Sequence, residues 1–299
     1  MIPNDRFKDQ DLEFWANIKL LNQRLGYTKR KTKKHPEGGF IVPTVGDIRS
    51  VFWSEGLNPS KLIDDEGYTE YGELIKEYME YRGELLMNEV KPQLMNKDEA
   101  KEQFTALKEE LNPTCPLPMN KQKKEKKDFS FLTGMVNMLI EANKGDNDCD
   151  YDPRELTALT ENKFPVRTLS RRVDGAFPST VDPIAIWEIK EYYYTTTFGS
   201  RVADGVYETQ LDGWELWEAE DKLGRDIKHY LIVDDYFTWW DCGRSYLCRL
   251  VDSMHMGLVD EVIFGREVVN RIPDLTRQWV AIMEDQNLTK AAEPSPDRY

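Results

Sequence analysis

The sequence predicts an α/β protein: a mixed central sheet flanked by helices, preceded by a mainly helical N-terminal region. Three observations lead there. Across residues 129–287, short apolar runs of strand length alternate with longer stretches of helical periodicity, the pattern of a sheet covered on both faces. Across residues 1–111 the apolar side chains recur at helical spacing. Between the two, Asn112 to Lys127 holds three prolines and five lysines, which regular structure cannot accommodate throughout, so 112–128 is expected to be a linker.

Leu12, Trp15, Ile18, Leu21 and Leu25 place an amphipathic helix over 9–25. A helix is expected from Thr44 to a break at Gly56, and a second after Asn58-Pro59, with Asn58 as N-cap and Pro59 at the first helical position. Helix, glycine-containing turn, helix over 44–62 is the outline of a helix-turn-helix, a DNA-reading unit or a plain helical hairpin. Residues 68–110 are expected to be helical throughout, with Tyr71, Leu74, Ile75, Tyr78 and Tyr81 on one face. Beyond the linker the expected order is a helix at 129–143, strands at Arg167–Phe177 and Pro183–Thr195, and a helix at 202–222. A buried strand at Tyr230–Asp234, a helix at 243–256, a strand at Glu261–Phe264 and a last helix at 273–284 follow. The polar tail 288–299, with two prolines near its end, is expected to be flexible.

Composition narrows the function. No apolar run approaches the length of a membrane span and the N-terminus lacks a signal peptide's apolar stretch, so the expectation is a cytoplasmic protein that does not engage a membrane. The four cysteines form no CxxC pair and there are only three histidines, which argues against a disulfide framework and a His- or Cys-based zinc site. GxxxxGK, GxGxxG and GxSxG patterns are absent, which leaves nucleotide-driven, Rossmann redox and serine-hydrolase readings unsupported. Net charge is −14, unfavourable on average for a phosphate-binding protein. Local basic runs matter more than the average: Lys29, Arg30, Lys31, Lys33 and Lys34, and Arg171 with Arg172, are the candidate DNA contacts.

The chemistry-bearing set is Asp174, followed by Glu188 and Lys190. Strand side chains alternate faces, so Glu188 and Lys190 point the same way within Ile184-Ala-Ile-Trp-Glu-Ile-Lys. Burying that pair is costly unless it is paired or binds something; a structural salt bridge is the plain reading. An acid upstream, Asp174, with a turn at Pro178-Ser179-Thr180 between, turns the pair into a candidate metal and phosphate site. Asp182 is a rival acid, but only six residues before Glu188 it would start the same strand, whereas Asp174 can lie across a hairpin from Glu188.

Asp174…Glu188-x-Lys190 resembles the D…(D/E)xK signature of the PD-(D/E)xK nuclease superfamily, which includes most type II restriction endonucleases. Gln210-x-x-x-Trp214 is similar to the QxxxY helix motif of RecB-like members, with Trp in place of Tyr; Val173 stands where the motif has Pro. The resemblance covers residues 129 to about 234 and implies a restriction-endonuclease-like sheet. It implies Mg²⁺ held by Asp174, Glu188 and the main-chain carbonyl of Ile189, with Glu141 as an additional acid. Lys190 would orient or deprotonate the attacking water, and Gln210 would contact a phosphate or the ion's water shell. The implied activity is double-stranded DNA cleavage to 5′-phosphate and 3′-hydroxyl ends by a homodimeric, sequence-specific restriction enzyme, with a cognate methyltransferase acting on the same DNA site. The alternatives are a repair, phage or defence nuclease without sequence specificity, and a non-catalytic DNA-binding protein of the same fold.

Overall fold

The computed structural model describes residues 1–8, 10–29, 32–33, 38–122, 125–194 and 199–292. The N-terminal helices follow their caps. Helix α1 (Leu12–Leu25) starts where Asp11 accepts from the Phe14 amide, buries Phe14, Trp15, Ile18 and Leu21, and ends at Gly26 with φ 87°. A two-residue ladder, β1 (Thr28–Lys29) with β2 (Gly39–Phe40), leads to α2 (Val45–Ser54), which opens on a reciprocal Thr44–Asp47 capping box.

The helix expected after Asn58-Pro59 does not form. Asn58 Oδ1 accepts from the Ser60 amide at 3.0 Å and closes a local turn instead. The next helix is α3 (Glu70–Leu85), capped by Thr69. Gly72 seats it against the preceding loop, because a Cβ there would fall 1.9 Å from the Leu62 carbonyl oxygen. The 44–62 segment is therefore one helix and a loop. The continuous helix expected over 68–110 is also divided: α3 runs into a π-helical turn (Leu86–Val90) and a 3-10 turn containing Pro92, and Asn96 caps a separate α4 (Lys97–Leu111). The linker region is partly ordered, since β3 (Met119–Gln122) pairs with β4 (Glu125–Phe129).

The second half contains α5 (Phe131–Asn143), β5 (Asp150–Tyr151), β6 (Ala158–Glu161), β7 (Phe164–Thr168), β8 (Gly175–Phe177) and β9 (Ala185–Glu191). It continues with α6 (Ser200–Leu223), β10 (Lys228–Asp234), α7 (Arg244–His255), β11 (Glu261–Phe264) and α8 (Val268–Ala292). The single strand expected over Arg167–Phe177 is two. β6 and β7 form their own hairpin, turned by Asn162 (φ 51°) and Lys163 (φ 68°). The chain then leaves the ladder because Ser170 and Arg171 bond to side chains of α6. Helix α8 continues through residues 288–292, where the sequence predicted a flexible tail; 293–299 lie outside the described residues.

The protein is mixed α/β. Its five-stranded sheet has the order β11-β10-β9-β8-β5, with β9, β10 and β11 parallel and β8 and β5 antiparallel. Trp187, Tyr230, Ile232 and Ile263 face α5 and α8, where Trp187 stacks on Trp279 at 5.5 Å between ring centroids. Leu231, Val233, Val262 and Phe264 pack with α7 on the other face, and Ile186 packs there with Leu216 and Ala219 of α6. None of the described helices is long and apolar enough to cross a membrane.

Asp234, fully buried at the end of β10, ties the sheet to the start of α4. Its Oδ1 accepts the amides of Met95 and Asp235, each at 2.8 Å, and Oδ2 bonds the Tyr193 hydroxyl. Burial pushes this carboxyl up to about 8. A folded-state value above the unfolded one means stability that is complete at low pH and is lost as pH rises through about 8. Asp234→Asn keeps the Oδ1 acceptor without the charge, so its stability should stay flat over that window. Asp234→Ala should lose about 1–3 kcal/mol, because it strands three buried groups. Urea unfolding across pH checks both.

Candidate active site

Asp174 precedes β8 and sits opposite Glu188 on β9. Gly175 pairs with Trp187 and the Asp174 amide donates to the Trp187 carbonyl at 3.1 Å. Gly175 is needed there, because a Cβ would fall 2.1 Å from the Trp187 ring. Asp174 Oδ2 accepts from the Ile189 amide at 2.7 Å, so its carboxylate reaches over the catalytic-candidate strand. Asp182 is engaged elsewhere: it accepts from the Thr160 amide at 2.7 Å and pairs with Arg225.

Glu188 and Lys190 share the face turned to α6, as alternation requires. Glu188 is 3% exposed. Its Oε1 takes both Lys190 Nζ and Arg171 Nη2, the latter at 2.7 Å, while its buried Oε2 has no hydrogen-bond partner. Lys190 Nζ also bonds Glu208 at 2.9 Å, and its stem lies against Gly205, where a Cβ would fall 2.9 Å from Lys190 Cε. The carboxylates around it push the Lys190 ammonium further up, against its own burial, so it stays cationic.

Two acids of α6 complete the cluster, and the motif did not reveal them. Glu208 faces Lys190, and Asp212 pairs with Arg171 Nη1. Asp212 is fully buried, with Oδ1 unpartnered. Gly205, Glu208, Asp212 and Glu215 recur at three- and four-residue spacing, a one-face pattern that helical periodicity could have found. Four carboxyls (Asp174, Glu188, Glu208, Asp212) thus meet two cations (Arg171, Lys190). Burial, reinforced by Glu188, pushes Asp174 up to about 7, and burial does the same to Asp212.

Several expected participants lie elsewhere. Gln210 Nε2 donates to Ser253 Oγ on α7 at 2.8 Å, so the helix turns it away from the strand pair. Glu141 binds the Thr114 amide at 2.9 Å and the Thr114 hydroxyl, closing the segment after α4. Arg171 is drawn into the carboxylates, which leaves it as an internal counter-ion more than a free DNA contact, whereas Arg172 beside it is exposed. Lys29 and Lys33 are exposed on the N-terminal region; Arg30, Lys31 and Lys34 lie outside the described residues.

Among the described residues no group of three or more His, Cys, Asp or Glu is arranged to hold a metal ion. Asp174 and Glu188 are a two-carboxylate set. That number suits Mg²⁺, which takes one or two carboxylates and keeps waters or phosphate oxygens in its other positions. The unpartnered Glu188 Oε2 and the excess of carboxyl over cationic groups fit a divalent cation.

Residues 95–279 match the family model described as Domain of unknown function (DUF7687), and residues 1–89 match that described as Domain of unknown function (DUF7690). Neither the curated proteins nor the solved structures give a match.

Proposed function

We propose, for a chain that belongs to the family described as Domain of unknown function (DUF7687), that it is a Mg²⁺-dependent DNA endonuclease built on a restriction-endonuclease-like sheet. The observation that carries this reading is Asp174 facing Glu188 across the β8–β9 ladder, with Lys190 on the same face as Glu188 and Glu188 Oε2 buried without a partner. Lys190 and Arg171 both bond Glu188 Oε1, which leaves Oε2 as the oxygen that would coordinate an ion.

Asp174, Glu188 and the main-chain oxygen of Ile189 would hold the ion. Bound there, Mg²⁺ lowers the pKa of a coordinated water and offsets charge growing on the scissile phosphate. Lys190 Nζ, held by Glu188 and Glu208, presents a fixed positive charge to the phosphate and orients the attacking water. Arg171 anchors Glu188 and Asp212, so the carboxylate that faces Asp174 cannot swing away. Attack of the water oxygen on phosphorus breaks the bond to the 3′ oxygen, leaving 5′-phosphate and 3′-hydroxyl ends.

Two such sites acting on double-stranded DNA in a homodimer would make a type II restriction enzyme, paired with a methyltransferase for the same DNA site and working in the cytoplasm. The loop in place of a second helix after Asn58-Pro59 favours the second form of the reading, a repair, phage or defence nuclease that does not read sequence. Incubation of supercoiled plasmid and a long linear DNA with Mg²⁺ or EDTA, followed by mapping of the ends, tests both. Mg²⁺-dependent breaks with 5′-phosphate ends are expected. Discrete fragments mark restriction and a smear marks the second form. No cleavage with either Mg²⁺ or Mn²⁺ leaves only DNA binding.

A further inference from the structure

Most arginines of this acidic chain are neutralised where they stand. Arg82, Arg167, Arg171, Arg225, Arg266 and Arg271 each pair with a carboxylate. Half-buried Arg249 on α7 is different, because its side-chain partners among the described residues are tyrosines. Its guanidinium carbon lies 4.9 Å from the ring centre of Tyr246, 5.2 Å from that of Tyr27 and 6.0 Å from that of Tyr207. Nη1 donates to the Tyr207 hydroxyl at 2.9 Å, while the buried Nε has no hydrogen-bond partner. Neutral tyrosines orient a cation without cancelling its charge. In a chain of net charge −14, a fixed, uncompensated guanidinium is a place for an anion.

The cluster adjoins the candidate site. Tyr207 immediately precedes Glu208, which bonds Lys190 Nζ at 2.9 Å. One turn further along each helix, Gln210 Nε2 donates to Ser253 Oγ at 2.8 Å, so α6 and α7 are pinned together where Tyr207 meets Arg249. Tyr27 leads into β1, where Lys29 is exposed and adds positive charge. Exposed Asp204 lies one turn before Tyr207, with exposed Arg201 three residues before it to offset its charge. We infer that this tyrosine–arginine platform holds a single DNA strand beside the site, with Arg249 on a phosphate and an unpaired base stacked on Tyr207. Tyr27 and Tyr246 hold the guanidinium, whereas Tyr207, 56% exposed, offers a ring to a ligand. Bases of a duplex are already stacked on one another, so an exposed tyrosine ring takes up only bases that are unpaired. The pairing of a fixed cation with a stacking ring selects a nucleic-acid strand over a simple anion.

This inference rests on the proposed nuclease and gives its second form a substrate class, DNA with single-stranded stretches; its test does not use cleavage. Fluorescence anisotropy of the full chain in EDTA compares a labelled oligo-dT strand with a blunt duplex of the same length. The single strand should bind at least about tenfold more tightly. Tyr207→Ala should weaken that binding about tenfold, the loss of one stacked base. Tyr207→Phe keeps the ring and loses only the bond from Arg249, so it should bind as wild type does. Arg249→Gln should lower the slope of log affinity against log salt by about 0.7, the share of one phosphate, and Arg249→Lys should restore it. All four variants should keep the wild-type far-UV circular dichroism spectrum. Equal affinity for the two DNAs, no binding of the single strand, or wild-type binding by Tyr207→Ala and Arg249→Gln overturns the inference. So does a Tyr207→Phe chain that binds as poorly as Tyr207→Ala, because the platform would then serve only to clasp Arg249. A chain that holds the single strand in this way but cuts no DNA with Mg²⁺ or Mn²⁺ sinks the nuclease reading alone.

Discussion

Alanine at Lys190 is expected to slow Mg²⁺-dependent plasmid cleavage by about 10²–10³-fold, the usual contribution of a fixed donor aimed at charge that develops in the transition state. The reason is local. Lys190 Nζ is fixed by Glu188 and by Glu208, so its charge is pre-set where a phosphate would approach Asp174 and Glu188. Truncation leaves Glu188 still held by Arg171 at 2.7 Å, so the carboxylate stays in place and the fold is retained. Asp174→Asn is expected to be as severe for a different reason. The asparagine oxygen can still accept from the Ile189 amide, but one negative charge is gone from the pair, and Mg²⁺ affinity falls with it. Isothermal titration with Mg²⁺ separates the two. Lys190→Ala should still bind the ion, whereas Asp174→Asn should bind it far more weakly. Both variants cleaving at the wild-type rate would remove this cluster from the chemistry.

Methionine at Arg82 is expected to cost about 3–5 kcal/mol, the range for removing one partner of a buried ion pair. Arg82 is wholly buried in α3 and binds both oxygens of Asp252 on α7, at 2.8 and 3.0 Å, and Asn22 Oδ1 on α1 at 3.0 Å. The Tyr78 hydroxyl donates to the same Asp252 oxygen at 2.6 Å. The network ties α1 and α3 to α7, beside the Asn4 amide, which donates to His255 Nε2 at 3.1 Å. Without the guanidinium, Asp252 is a buried carboxylate with one neutral donor. Arg82→Met combined with Asp252→Leu should recover most of the loss, because the remaining penalty is packing instead of an unpaired charge. Denaturant unfolding of the single and double variants measures it; a single variant as stable as wild type would show that the network contributes nothing.

Much of the architecture was legible because it is written in short-range periodicity. α1, α2, α5, α6, α7 and the strands β9, β10 and β11 all lie where apolar spacing placed them. The misreadings share a cause, which is competition from side chains distant in sequence or from local side chain–backbone bonds. Arg167–Phe177 reads as a strand by composition, yet Ser170 and Arg171 are pulled onto α6 by Glu215 and Asp212. Asn58 reads as a helix cap, yet its side chain closes a turn. The acids of α6 read as solvated helix charges until the sheet brings Arg171 and Lys190 beneath them.

The sequence by itself determined that Glu188 and Lys190 share a face, because strand alternation is a property of the backbone alone. It also determined the α/β order, which follows from the same kind of periodicity. Only the tertiary structure decided which acid faces Glu188, that Arg171 and Asp212 belong with it, and that Gln210 and Glu141 do not. Those outcomes depend on strand register, on where the chain leaves a ladder and on which helix face packs inward. Each is set by contacts between residues far apart in the chain, and linear spacing does not encode them.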